Sequence, residues 1–366
     1  MATATEEQTR GAQLGRLERL PWRRIILIVL AVLIVSVVAI GAYKTLTLPA
    51  DERYSAQTWK DFIVLGLAQG GIIALIALGY TLVYGILRMI NFAHGEVFMF
   101  GAFAAYFFSA AWEQTGFLDR NPVLSIALLM LIAMVTSMSV AILLERIAYR
   151  PLRNAPRLVP LITAIGASLF LQNTARGFFG AQSRGFGVPA QLQGTWTILG
   201  IEVDRIQVVV LATVVIAVAG LSLFIRRTTT GKSMRAVSAD SEIASLMGIR
   251  VDRVIVTTFA IGGLLAGVAA VLYSLTFESV NFTMGFRPGI AAFTAAVLGG
   301  IGSISGAALG GVLLGLLQSV GPALILTGYG IPSSFQLKDA FTFLILVLVL
   351  IFRPGGLLGS GEAEKV

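Results

Sequence analysis

The sequence predicts an all-α polytopic membrane protein, and three observations carry that prediction. Apolar residues make up 56% of the 366-residue chain and charged ones only 13%, about half the charged share of a soluble domain. Apolar runs near twenty residues, the length that spans hydrocarbon, recur along the whole chain. The basic residues cluster at the ends of those runs, where membrane orientation is set. The net charge of +8 is therefore a topology signal, not a nucleic-acid one. With no cysteine, disulfides, thiol catalysis and thiolate metal sites are excluded. No catalytic, metal or cofactor constellation stands out.

About ten hydrophobic segments are expected. A polar stretch leads to Arg23 and Arg24 and then to a first run, Ile25 to Ala42. It is longer than a usual signal-peptide core, and no small-x-small site follows, so it reads as a retained helix rather than a cleaved signal. The following segments are Phe62 to Leu87, Ala93 to Trp112, Val123 to Leu144, Pro160 to Phe179 (interrupted by Gln172, Asn173 and Arg176), Ile206 to Ile225 and Val254 to Leu275. Residues 180–205 form an outer segment with a short hairpin. Gly289 to Leu298 is too short to span alone, and Gly299 to Ser305 breaks it from Gly306 to Leu326. A short, Gly-interrupted pair of this kind marks a helix that crosses only in part. Leu337 to Phe352 closes the series. With both termini in the cytoplasm, about two thirds of the 27 lysines and arginines fall inside, as the positive-inside rule requires. Residues 1–60 read as a basic tail, an added helix and an outer linker. Residues 61–352 read as the main membrane domain, and 353–366 as a cytoplasmic tail.

The chain is organised around Gly79 to Tyr106. Arg88, Asn91, His94 and Glu96 appear there with only apolar residues between them, and His94 is the sole histidine. Polar groups this close to hydrocarbon need protein partners or a water-filled cavity. Two readings stay open, a tight helix–helix turn at the cytoplasmic surface or a gate lining a solute path; a third, a membrane-embedded His94/Glu96 acid/base pair, lacks a nucleophile or metal-ligand companion. Tyr84, Asn91, His94, Glu96 and Asn173 are the gate or pathway candidates.

Residues 226–253 are too polar to span. Ser238, Asp240 and Glu242 put an acceptor and two acids at a helix N-terminus. Ile243, Leu246 and Met247 form one apolar stripe, and Gly248 suits a C-terminal cap. The result is a short amphipathic cytoplasmic helix, lying on its own bundle or inserting into a partner. Gly231-Lys232-Ser233 resembles the end of a P-loop, but Arg226 stands where the first glycine is needed, so no phosphate cradle forms. Gly299, Gly300, Gly302, Gly306 and Gly310 are candidate helix-packing glycines. Glu278, Asn281 and Arg287 sit on an expected outer loop, open to solvent or to a partner protein.

NFAHGEVFMFGAFAAY, preceded by ALIALGYTLVYGI, resembles the H-type permease subunit of Liv-type branched-chain amino acid ABC importers. The resemblance runs from about Phe62 to the C-terminus, through ERIAYRPLR, LITAIGASLFLQN, ASLMGIRVDRVI, FTAAVLGGIGSISGA and RPGGLLG. It implies a passive inner-membrane permease without enzymatic activity that moves branched-chain or other neutral amino acids. It also implies partners: a second, M-type permease, two ABC ATPase subunits docking on the amphipathic helix, and a periplasmic substrate-binding protein. A permease for urea or short amides in the same family is an alternative. A self-sufficient secondary carrier is another; such carriers keep intramembrane acids or lysines for ion coupling, and here Glu96 and Glu145 are the only candidates, both near expected cytoplasmic ends.

Overall fold

The structure is a computed structural model that describes residues 22–359 apart from positions 50, 154, 157, 199–200 and 332–333. The polar N-terminal tail, Arg157 and the last residues of the C-terminal tail lie outside the described residues. The chain is built from α-helices, with four short strands among the described residues. Among the described residues, nine helices are long and apolar enough to cross a membrane, and a tenth, Phe286–Gly299, is apolar but short. The ten-segment expectation therefore holds, short segment included.

In chain order the helices are α1 (Trp22–Leu46), α2 (Ala56–Leu87), α3 (His94–Gln114), the single turn α4 (Phe117–Arg120), α5 (Pro122–Leu144), α6 (Leu158–Phe179), α7 (Arg205–Arg227), α8 (Thr229–Ala239), α9 (Ser241–Leu246), α10 (Val251–Phe277), α11 (Phe286–Gly299), α12 (Ile304–Gly321) and α13 (Lys338–Phe352). The expected hairpin between α6 and α7 forms from β2 (Thr195–Ile198) and β3 (Ile201–Asp204), and β1 (Arg184–Gly185) pairs with β4 (Ser279–Val280). α6 runs unbroken through Gln172, Asn173 and Arg176. Those polar residues leave the helix intact because its own backbone bonds are satisfied internally.

The described chain divides into two units. One joins α1 to residues 323–332. In it Gly41 and Gly328 let α1 approach the second segment closely. The Tyr329 hydroxyl donates to the Val37 carbonyl at 2.8 Å, and the Lys44 ammonium sits 5.3 Å from the centre of the Tyr329 ring. The outward faces of α1 carry exposed Ile26, Val29, Val32 and Val35, the pattern of a lipid-facing helix.

The other unit holds the remaining helices around a core of α2, α3, α10 and α12. Small residues set its spacing. Gly66 and Gly70 of α2 face Gly311 and Gly315 of α12, and Gly263 and Gly267 of α10 lie against the α5 backbone, with little room for a side chain at Gly66 and none at the others. With no net hydrophobic drive between helices in lipid, such backbone contact is what packs them. α11 and α12 form a hairpin in which Gly299, Gly306 and Gly310 sit at the crossing. Gly300 and Gly302 belong to the turn instead, at φ +105° and +96°. Nothing lies within 4 Å of where a Gly302 side chain would begin, so Gly302 is a turn residue and not the packing glycine expected. Leu357 and Leu358 then donate their amides to the carbonyls of Leu298 and Gly299, closing the C-terminal segment over this turn.

Candidate functional site

The chain between α2 and α3 decides the site. Arg88 ends α2 in the left-handed conformation at φ 54°. Residues 89–93 then fold back along α2, so α3 begins beside Gly79 instead of beside Leu87. The His94 imidazole occupies the space a Gly79 side chain would need, and its ring centre lies 5.0 Å from that of Tyr80. Gly79 is eight residues before the end of α2, so His94 lies about 12 Å back into the bundle at 1.5 Å per residue. Of the readings left open for this stretch, the turn at the cytoplasmic surface does not fit: the polar cluster starts a helix beside Gly79, well before the end of α2.

A second segment re-enters to meet it. Gly285, at the N-terminus of α11, contacts the Gly95 backbone so closely that neither tolerates a side chain, and Gly289 packs on the Gly95 Cα. Residues 276–288 were expected on the outer side and Glu96 on the inner side. The start of this stretch stays with the other expected outer segment, since β4 pairs with β1, while Gly285 descends to the first turn of α3, so the first turns of α3 and α11 converge. Neither N-terminus is capped by a side chain.

Glu96 lies at this convergence. Its Oε1 accepts a hydrogen bond from Ser168 at 3.2 Å. Its Oε2 sits at Gly285 and has no hydrogen-bond partner among the described residues. Beside it is a cavity of about 290 Å³ lined by Tyr80, Phe92, Glu96, Ser168, Gln172 and Phe286, with Ile165, Leu169 and Ile290 completing its apolar wall. The two helix N-termini favour negative charge here, and burial makes an unpaired carboxylate oxygen costly.

Of the pathway candidates, Asn91, His94 and Glu96 are buried, while Tyr84 is half-buried one turn from the end of α2. Asn173 is exposed and donates to Leu169 of its own helix at 2.8 Å. It does not line the cavity. Its neighbour Gln172 does, with Ser168 one turn before it and Arg176 one turn after, 5.6 Å from the Phe282 ring. The i, i+4, i+8 spacing of Ser168, Gln172 and Arg176 along an apolar helix was the signal for this face.

Asn91 ties the cluster to the rest of the bundle. Its Oδ1 accepts from the Tyr149 hydroxyl at 2.6 Å. Tyr149 lies in the π turn Glu145–Tyr149 that extends α5. In that turn the buried Glu145 pairs with Arg153, which also pairs with Asp252 in the first turn of α10. Arg150 reaches the same Asp252 at 3.4 Å.

The segment just before Asp252 is the expected amphipathic helix, which the structure divides in two. Ser238 is in α8, not at the N-terminus of the helix that carries the stripe. Its hydroxyl donates to the Gly85 carbonyl at 2.6 Å, and Arg88 returns a bond to the Ser238 carbonyl at 3.2 Å. α8 is thus fastened to the end of α2. Asp240 caps α9, accepting from the amides of Glu242 and Ile243 at 2.9 Å each. Gly248, at φ +81°, closes it: its amide donates to Ser245 and the Ile249 amide to Ala244, the paired bonds of a Schellman cap. Ile243, Leu246 and Met247 are 60%, 86% and 78% exposed, and only Ala244 of α9 is buried. The stripe does not lie on its own bundle.

The fold is a multi-span helical bundle with a cavity where the N-termini of a full-length helix, α3, and a short one, α11, converge, and with a projecting helix that carries an apolar stripe. Residues 62–350 match the family described as branched-chain amino acid transport system / permease component, and the chain belongs to that family. It is 43% identical over 309 residues to the high-affinity branched-chain amino acid transport system permease protein BraD of Pseudomonas aeruginosa, covering 83% of this chain and 97% of that one. It is 42% identical over 306 residues to the corresponding permease protein LivH of Escherichia coli K12, covering 82% and 96%.

Proposed function

We propose that this chain is the membrane permease subunit of an ABC importer that moves branched-chain or other neutral amino acids into the cytoplasm. Separate ATPase subunits drive it, a second permease subunit completes the path, and a periplasmic binding protein delivers the cargo. The observation that carries the coupling part of this reading is α9. It is a capped helix whose apolar stripe faces solvent, while the preceding α8 is tied to α2 through Ser238 and the following α10 to Arg153 through Asp252. An exposed apolar stripe marks a partner surface, and the ends of the same segment lead to the His94–Glu96 cluster. Asn91, His94 and Glu96 then act in gating and lining the path, not in bond chemistry.

The chain contains no P-loop, so ATP is bound by another chain. Both termini face the cytoplasm in this reading, and residues 61–352 form the permease body, with residues 1–60 adding a helix outside it. The start of the family match at residue 62 supports that division.

The test is leucine uptake into vesicles holding the chain with and without its ATPase subunits. Uptake and ATP hydrolysis require the ATPases, the purified chain hydrolyses no ATP, and Lys232→Ala leaves nucleotide binding by the complex unchanged. Uptake by the chain alone, driven by a proton gradient, would instead support a secondary carrier, for which the buried Glu96 carboxylate is the one favourable observation.

A further inference from the structure

We propose that the cavity beside Glu96 is a way-station for the zwitterionic head of an α-amino acid, with the ammonium on Glu96 and the carboxylate at the N-terminal turn of α11. The inference deepens the importer reading and rests on it.

Three observations carry it. Glu96 lines the cavity with one carboxylate oxygen bonded to Ser168 and the other without a hydrogen-bond partner among the described residues. That leaves an acceptor for a cation. The N-termini of α3 and α11 meet here, and neither carries a side-chain cap. Each favours a nearby anion, and broken helices inside transporters present such ends to substrate carboxylates. Glu96 supplies one negative charge for two positive helix ends, so a second carboxylate is still favoured. A cation would answer only Glu96, and an anion only the helix end. A zwitterion answers both and adds no net charge.

The rest of the wall sets the side chain. Tyr80, Phe92, Ile165, Leu169, Phe286 and Ile290 surround the polar corner. The volume of about 290 Å³ lies near the lower end for small-molecule sites, so the fitting ligand is a small amino acid with an aliphatic side chain. Gln172, on the Arg176 side of Ser168, provides an amide at the rim.

The absence of cysteine makes the test direct. Leu169→Cys places one thiol in the cavity wall, and its labelling by a maleimide is timed in the assembled complex without binding protein. Millimolar leucine should slow labelling. Leucinamide, which lacks the carboxylate, and 4-methylpentanoate, which lacks the ammonium, should each protect less well. Glu96→Gln should weaken leucine protection about tenfold, the scale of one charge-assisted hydrogen bond, while the rate without ligand stays the same. Ser168→Ala, a milder change, should weaken it less.

Equal protection by leucine and 4-methylpentanoate, protection that survives Glu96→Gln, protection by sodium ions alone, or no protection by leucine would each overturn the proposal. Leucine uptake by the wild-type complex separates the two levels. If the complex imports leucine but the thiol is not protected, only the way-station fails. If it imports no amino acid, the importer reading fails with it.

Discussion

The Glu96 cavity and the α9 stripe invert the usual distribution of polarity in opposite senses. Around Glu96, charged and polar groups are buried where hydrocarbon-spanning helices pack. On α9, Leu246 and Met247 stand in the open at 86% and 78% exposure on a loop too polar to span. Buried polar groups and exposed apolar surfaces are the informative exceptions in a fold. The first needs a ligand or water to complete it, and the second needs a protein. Their difference separates the two tasks of an importer subunit, passing cargo and receiving force.

If that separation is right, the largest effect should come from the stripe. Leu246→Asp puts a charge on the docking face and should nearly abolish ATP-driven uptake in the reconstituted complex. Losing a buried Leu in a contact typically costs about 2–5 kcal/mol, enough to disengage a small interface. Membrane insertion should be normal. Ser245→Asp, off the Ile243/Leu246/Met247 stripe, should do much less, and equal behaviour of the two variants would return α9 to its own bundle.

A second effect sharpens the connection between the regions. Arg153 joins Glu145 to Asp252, and Glu145 is fully buried. Arg153→Ala strands that carboxylate and should destabilise the chain by about 3–5 kcal/mol, read as a lower thermal midpoint in detergent. Glu145→Gln in the same background should restore part of the loss.

The smallest effect is at the last bond before the cluster. Tyr149→Phe removes the hydrogen bond to Asn91 at a net cost of about 1 kcal/mol. Uptake should fall modestly while ATPase docking is kept. A docking defect from this variant would mean that the π turn serves α9 and not the path.

The sequence made these two regions legible to different degrees. The α9 stripe, its Asp240 cap and its Gly248 stop are local, set by periodicity and capping rules over a few residues. Ser238 was misplaced because an acceptor before an acidic turn looks like a cap, whereas its actual partner, Gly85, is far away in the chain. The ten segments were legible because hydrocarbon thickness fixes their length. The re-entry of residues 89–93 was not, since a short apolar connection reads as a surface turn whichever way it folds. Nor was the meeting of Gly95 with Gly285, which depends on how α3 and α11 cross. The same holds for Asn173 and Gln172 on α6, of which only Gln172 lines the cavity. Composition shows that α6 carries polar residues, but only its rotation shows which of them face Glu96.

The most direct measurement of the central claim is the accessibility of position 246. Leu246→Cys and Ser245→Cys, each the only thiol in the chain, are labelled with an impermeant maleimide in inside-out vesicles, with and without the ATPase subunits. The account predicts that both label from the cytoplasmic face and that the ATPases protect position 246 far more than position 245. Labelling of position 246 only from the opposite face, or equal labelling of the two with ATPases bound, would contradict it.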